Sequence, residues 1–231
     1  MNPGKPVMPM TAPKRPADPL TRWKSELVTE LERVAIRDRW GLALMILGWS
    51  HLAIFLACHV LYVIGDRVNS HYLGLWGLEF VVNLWILRRV AGPGWFRSTP
   101  LAGVIARVWA TFLILSFNLA TLNSLTGFSI EWFKLGWASL STFGFAVTAY
   151  LVNTWYFVPA VQMYFTGLLM FACPGWEYLI YGVSWWASFQ GIGLTLESRR
   201  RKMTLIKFEP AVLEFRPAAV EDEDSVLVDH R

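Results

Sequence analysis

The stretch WGLALMILGWSHLAIFLACHVLYVI, from Trp40 to Ile64, decides the fold of this chain. A helix needs about 20 mostly apolar residues to cross the hydrocarbon core of a bilayer, and this run supplies them. Five similar runs follow, separated by short turn signals and charges. The predicted spans are residues 40–64, 70–87, 101–122, 133–152, 155–173 and 176–196. We therefore expect an all-α, polytopic membrane protein with a six-helix transmembrane domain at 40–196.

The composition supports a membrane protein. Hydrophobic residues make up 55% of the 231 residues and charged residues 16%, whereas charged residues are about a quarter of a typical soluble domain. The two cysteines, Cys58 and Cys173, both lie in apolar runs. We expect each to behave as a small buried hydrophobe, and neither a disulfide framework nor a Cys-x-x-Cys metal site is predicted.

The positive charges predict the orientation of the chain. Lysine and arginine gather before residue 40, in the connection that holds Arg88 and Arg89, and after the last span. The last group is Arg199, Arg200, Arg201 and Lys202. Positively charged connections stay in the cytoplasm. An even number of spans must therefore precede Arg199, and six spans with both termini cytoplasmic satisfy this condition.

The two ends of the chain differ from the apolar centre. Residues 1–20 hold six of the twelve prolines and predict a disordered tail. Residues 21–39 predict an amphipathic helix with an apolar stripe at Trp23, Leu27, Leu31 and Val34. That stripe suits either the membrane surface or another subunit. Residues 197–231 form the basic stop and a cytoplasmic tail with an acidic end at 221–224.

Polar residues inside the predicted spans are the candidate functional residues, because ionisable groups are costly at membrane depth. If the first two spans form a hairpin, His51 and Glu79 both fall near the bilayer midplane, whereas His59 and His71 lie nearer its outer end. The pair His51/Glu79 fits a hydrogen-bonded packing contact or a proton-exchanging site. Alternatively, a histidine ligates haem, and His59 with His71 is the combination that the hairpin allows. No zinc site is predicted, because further ligands are missing.

The run Ile105-Ala106-Arg107-Val108-Trp109-Ala110, followed by two apolar hairpins and the basic stop, resembles the six-helix membrane module attached to certain bacterial serine/threonine kinases. The resemblance covers at most residues 40–201, and the kinase domain is absent from this chain, so no catalytic residue carries over. It implies a free-standing membrane domain that senses a signal or binds another chain.

The chain contains no Walker loop, G-x-S-x-G, H-E-x-x-H or kinase motif, and we expect no enzymatic activity. Its net charge of +4 comes from residues that flank the membrane, so nucleic-acid binding is not predicted. The leading hypothesis is an accessory or scaffold subunit of a larger complex in the bacterial inner membrane, or a sensor module. Its expected partners are the lipid bilayer and other membrane subunits or further copies of itself. The alternatives are a proton-linked transporter or channel that uses His51 and Glu79, and a haem- or pigment-binding redox or photosynthetic subunit.

Overall fold

Seven α-helices form the part of the chain that the computed structural model describes, residues 18–126 and 129–214, with the backbone alone at 124, 132, 133 and 204–214. The predicted tail at 1–17 and the acidic end at 221–224 lie outside these residues. The helices are α1 (Pro19–Arg37), α2 (Trp40–Val63), α3 (Asn69–Ile86), α4 (Pro100–Leu125), α5 (Ile130–Leu151), α6 (Phe157–Ala172) and α7 (Glu177–Glu214).

The predicted all-α class is confirmed for the described residues, and each predicted span lies on one of the helices α2 to α7. Within the described residues, three stretches are both long enough and apolar enough to cross a membrane. They are Trp40–Val63, Pro100–Asn123 and Thr154–Ala172. These three stretches are consistent with a membrane protein.

The helix ends follow from local sequence. Gly65 closes the α2–α3 hairpin with φ +84°, a conformation that a side chain disfavours. At the start of α4, Pro100 takes the first helical turn, and the Thr99 side chain accepts the Ala102 N–H at 3.1 Å. Proline at this position loses no helical hydrogen bond. A π-helical turn, Leu87–Ala91, ends α3 and carries Arg88 and Arg89.

The first and last long helices, α2 and α7, form the centre of the bundle. Glycines let their backbones approach: a Cβ on Gly193 would lie 2.7 Å from the Gly41 carbonyl oxygen, and a Cβ on Gly182 would lie 2.6 Å from the Phe55 Cβ. Helices pack this closely in membranes where small residues face each other. The remaining helices surround this pair, with α3 against α2, α6 against α7, and α5 against α4 and α6.

Helix α1 packs its apolar stripe against the same chain. Leu31 and Val34 are buried, and Leu31 clusters with residues at the start of α4 and the end of α5. The Lys24 ammonium donates to the Tyr150 carbonyl at 2.6 Å. Trp23, at the beginning of the stripe, is 60% exposed. The stripe is therefore divided between an intramolecular contact and an open N-terminal end.

Helix α7 continues well beyond the boundary that the charges suggest. The predicted span ends at 196, yet the helix runs to Glu214. Positive charges limit the segment that lies in lipid, but arginine and lysine are good helix formers and do not end a helix in water. The basic residues Arg199 to Lys202 are therefore part of α7.

The glycine contact can be tested with Gly193→Ala. We expect the variant to lose about 1–3 kcal/mol of stability, because the added Cβ meets backbone atoms that cannot move aside. Thermal unfolding of the detergent-purified protein measures the loss.

The matched control is Gly191→Ala on the same helix, where a Cβ meets nothing within 4 Å. Alanine favours the helix over glycine, so this variant should be as stable as the parent or slightly more stable. Equal melting temperatures for the two variants would contradict the close α2–α7 contact.

Candidate functional site

A cavity of about 370 Å³ lies inside the bundle, between α2, α3, α4, α5 and α7. Its walls are mainly aromatic and aliphatic side chains. Its polar members include His51 on α2, Glu79 and Asn83 on α3, and Ser116 on α4. The volume falls in the range of small-molecule pockets, about 300–1,000 Å³.

The lining of the cavity includes a buried pair of ionisable side chains. His51 Nδ1 and Glu79 Oε1 are joined by a hydrogen bond, and the two residues are 9% and 8% exposed. Asn83 Nδ2 donates to the same carboxylate oxygen at 3.4 Å. The structure thus brings together the two residues for which the predicted hairpin gave the same depth in the membrane.

Aromatic rings fix the orientation of the imidazole. The His51 ring stacks on Phe55 with 4.4 Å between ring centroids, and Trp185 lies 5.3 Å away. Trp185 in turn contacts Phe145 at 5.1 Å and Trp109 at 5.7 Å. The imidazole is therefore held at the edge of an aromatic cluster that forms much of the cavity wall.

Six buried polar atoms on residues that line the cavity have no hydrogen-bond partner within the described chain. They are His51 Nε2, Ser116 Oγ, Asn83 Oδ1 and the indole nitrogens of Trp40, Trp76 and Trp185. Buried polar groups in proteins are normally paired, and each exception requires an explanation. A ligand that occupies the cavity would supply the missing partner.

The cavity is bounded by exposed residues in two places. Between α3 and α4, which meet where Phe80 and Phe117 pack at 6.3 Å, the lining residues Leu84 and Leu113 are 47% and 36% exposed. At the other end, Arg199 Nη1 donates to Glu32 Oε1 at 2.8 Å. The first of these places lies at the outer surface of the bundle. At the second, the ion pair joins α1 to α7.

In the structure, His59 and His71 contact different residues. The His59 ring stacks on Trp176 with 5.2 Å between centroids, while His71 Nδ1 lies 2.6 Å from Asp66 Oδ2. His71 is exposed and His59 half-buried. Among the described residues, no three His, Cys, Asp or Glu side chains are grouped to hold a metal ion. Haem ligation by this pair stays a prediction.

The basic residues lie at one end of the bundle with different partners. Arg88 and Arg89 are exposed on the π-helical turn. Arg200 pairs with Glu197 at 3.2 Å within α7. Arg201 and Lys202 follow on the same helix and are exposed.

Sequence reasoning missed a second buried ion pair. Lys134 Nζ lies 3.2 Å from Glu177 Oε1 and 2.9 Å from Glu131 Oε1, and the side chains of Lys134 and Glu177 are 6% and 1% exposed. The pair joins the N-terminal part of α5 to the first turn of α7. The signal was available, because both residues are charges within or beside predicted spans, the rule that selected Glu79.

Comparison of the chain with protein-family models, with curated proteins and with solved structures gives no match. The resemblance to the kinase-attached membrane module therefore stays a prediction, and the site is interpreted from its own geometry.

The turn between α2 and α3 gives a pH-dependent prediction. The Asp66 carboxylate accepts the Val68 N–H at 2.8 Å and contacts His71, and these bonds lower the pKa of Asp66 from its ordinary value. Folding thus favours the ionised form. The contribution of the ionised Asp66 to the stability of the fold is complete above the unfolded-state pKa, about 4. It is lost as the pH falls through the lower folded-state pKa.

We therefore expect Asp66→Asn to melt at a lower temperature than the parent at pH 7, with the difference shrinking below about pH 4. Melting curves of both proteins between pH 7 and pH 3 measure this difference in melting temperature. A difference that grows as the pH falls through this lower range would contradict the assignment.

Proposed function

We propose that this protein is a non-enzymatic membrane sensor module or accessory subunit that holds an apolar molecule from the bilayer in its central cavity. In this proposal all six helices α2 to α7 span a bacterial inner membrane, and both termini lie in the cytoplasm. His51 and Glu79 form the polar anchor of the bound molecule.

The charge distribution supports the six-span arrangement. Arg88 and Arg89 end α3, and Arg199 to Lys202 extend α7, so both groups lie at the same end of the bundle if the helices alternate in direction. The short connections at the other end carry few basic residues, as external connections do. The α1 helix would then lie at the cytoplasmic face, with Trp23 and Leu20 exposed to the interfacial region.

The observation that carries the binding proposal is His51 Nε2, which has no hydrogen-bond partner among the described residues and belongs to a side chain that lines the cavity. A polar atom without a partner is costly in an apolar interior, so a ligand group that accepts a hydrogen bond from this nitrogen would stabilise the bound state. The aromatic lining suits an apolar ligand, and the gap between α3 and α4 gives such a ligand a route from lipid. Binding from the bilayer accounts for all three features.

The alternative function that also uses His51 and Glu79 is proton-linked transport. A transporter needs its site to reach both sides of the membrane, by alternating access. The lining of the cavity, as far as the described chain forms it, includes no residue of the connections at 64–68 or 173–176. The geometry therefore favours binding over transport.

Single-cysteine labelling tests the six-span arrangement. In a Cys173→Ser background, with Cys58 buried, we expect Arg67→Cys to react with a membrane-impermeant maleimide in intact cells. Arg97→Cys should react only after the membrane is opened, because its connection is cytoplasmic. The reverse pattern would contradict the proposed orientation, and labelling of both sites in intact cells would contradict the single span, α3, that the proposal places between them.

Filling the cavity tests the binding proposal. Ala106 lines the cavity, so Ala106→Phe should displace the bound molecule. Organic extracts of the purified protein, quantified by mass spectrometry, should then contain one compound that is depleted at least about tenfold, as expected from the loss of about 1.4 kcal/mol of binding energy.

The control is Ala110→Phe, one turn further along α4, because Ala110 is exposed and does not line the cavity. It should retain the compound at the parent level, whereas loosely bound lipid should be equal in all three preparations. An extract that is identical for both variants and the parent would contradict the proposal.

A further inference from the structure

The hydrogen-bonding capacity of the His51–Glu79 pair indicates which head group the cavity can bind. This inference rests on the proposed function. We propose that the bound molecule is a membrane-soluble quinone, a flat ring that carries carbonyl oxygens and an apolar tail. One carbonyl accepts a hydrogen bond from His51 Nε2, and the ring lies among the aromatic side chains of the cavity.

The apolar surroundings of the pair determine its net charge. His51 and Glu79 are both buried, and the other lining charges, Glu32 and Arg199, neutralise each other at 2.8 Å. A net charge beside apolar walls is strongly unfavourable, so the resting pair is neutral as a whole. It therefore consists either of an imidazolium and a carboxylate or of an imidazole and a carboxylic acid.

A neutral pair carries a hydrogen on His51 Nε2. In the imidazolium form both ring nitrogens carry hydrogen. In the other form the Glu79 hydroxyl donates to Nδ1, and the neutral imidazole then carries its hydrogen on Nε2. Either distribution makes Nε2 an N–H donor, and the structure gives it no acceptor among the described residues. The missing partner is therefore a hydrogen-bond acceptor such as a carbonyl oxygen.

The walls of the cavity suit a ligand with a flat ring and an apolar tail. Trp109, Trp185 and Phe145 form adjoining aromatic surfaces near the imidazole, with ring centroids 5.1 to 5.7 Å apart. Flat rings pack well on such surfaces. The gap beside Leu84 and Leu113 lets a tail continue into lipid. Ser116 on α4, whose hydroxyl has no partner in the part of the chain that the structure describes, provides a second donor for a second carbonyl.

A phospholipid head group fits this site less well. A phosphate needs a cation, and the arginine that lines the cavity, Arg199, already pairs with Glu32 at the far end. A free fatty acid would place a second carboxylate next to Glu79. This carboxylate would also need a cation, and Arg199 already pairs with Glu32. A neutral carbonyl compound satisfies the donor without adding charge.

The test is a titration of the detergent-purified protein with decyl-ubiquinone, followed by quenching of tryptophan fluorescence, and with decylbenzene as a carbonyl-free competitor. We expect saturable quenching that decylbenzene does not reverse at equal concentration. The double variant His51→Phe/Glu79→Leu should weaken binding at least about tenfold, because it removes the donor. Replacing both partners leaves no buried charge unpaired and so protects the fold.

Ser116→Ala is a milder variant, expected to weaken binding about threefold. Its matched control is Ser188→Ala, a buried serine that hydrogen-bonds Gln162 and Ser184 outside the cavity. This control should bind decyl-ubiquinone as the parent does.

Equal affinity of the parent and the double variant, or decylbenzene binding as tightly as the quinone, would overturn the quinone inference. So would quenching that rises linearly in every variant, which indicates partition into detergent only. If Ala106→Phe nevertheless releases a different bilayer compound, the proposed function stands while the quinone inference fails. If that variant also releases nothing, both fail.

Discussion

The close approach of α2 and α7 is the contact on which the rest of the structure depends. Gly41 and Gly193 bring the two backbones together at one end, and Gly182 accepts Phe55 further along. A bilayer offers little hydrophobic drive for helices to associate, so in the proposed six-span arrangement close van der Waals packing must hold α2 to α7. Because α7 lies this near α2, Trp185 reaches the His51 ring at 5.3 Å. The α2–α7 contact therefore orients the imidazole on which both proposals depend.

The cavity results from how the other helices attach to this centre. Helix α3 packs on α2, and α4 packs on α5, whereas α3 and α4 meet through the rings of Phe80 and Phe117. Protein interiors are otherwise packed with few voids larger than a water molecule. A space of about 370 Å³ with an unpartnered imidazole nitrogen is thus an exception to ordinary packing. Aromatic side chains preserve it, because rigid rings cannot collapse into the space as flexible aliphatic chains do.

Hydropathy and turn residues predicted the helices well, since the apolar runs are long and the breaks contain glycine, proline or charge. The depth of His51 and Glu79 followed from the hairpin about Asp66, because equal distances from a turn place residues at equal depth on antiparallel helices. The cavity could not be predicted, since it depends on the contact between α2 and α7, which are distant in the sequence. The same applies to Arg199 and Glu32, whose 2.8 Å contact joins the N-terminal helix to the last one. Lys134 and Glu177 were predictable in type but not as partners, because their pairing needs the relative position of α5 and α7.

Helix α7 connects the cavity to the cytoplasmic end of the proposed topology. Its 38 residues span about 57 Å at 1.5 Å per residue, nearly twice the hydrocarbon thickness of about 30 Å. One continuous helix therefore carries Trp185 beside His51, Arg199 at the ion pair with Glu32, and a basic extension beyond the membrane. A ligand that moved Trp185 would displace the whole rigid helix rather than a local loop, and Arg199 would shift against α1. In the sensor proposal, this shared helix is the element through which occupation of the cavity reaches a partner in the cytoplasm.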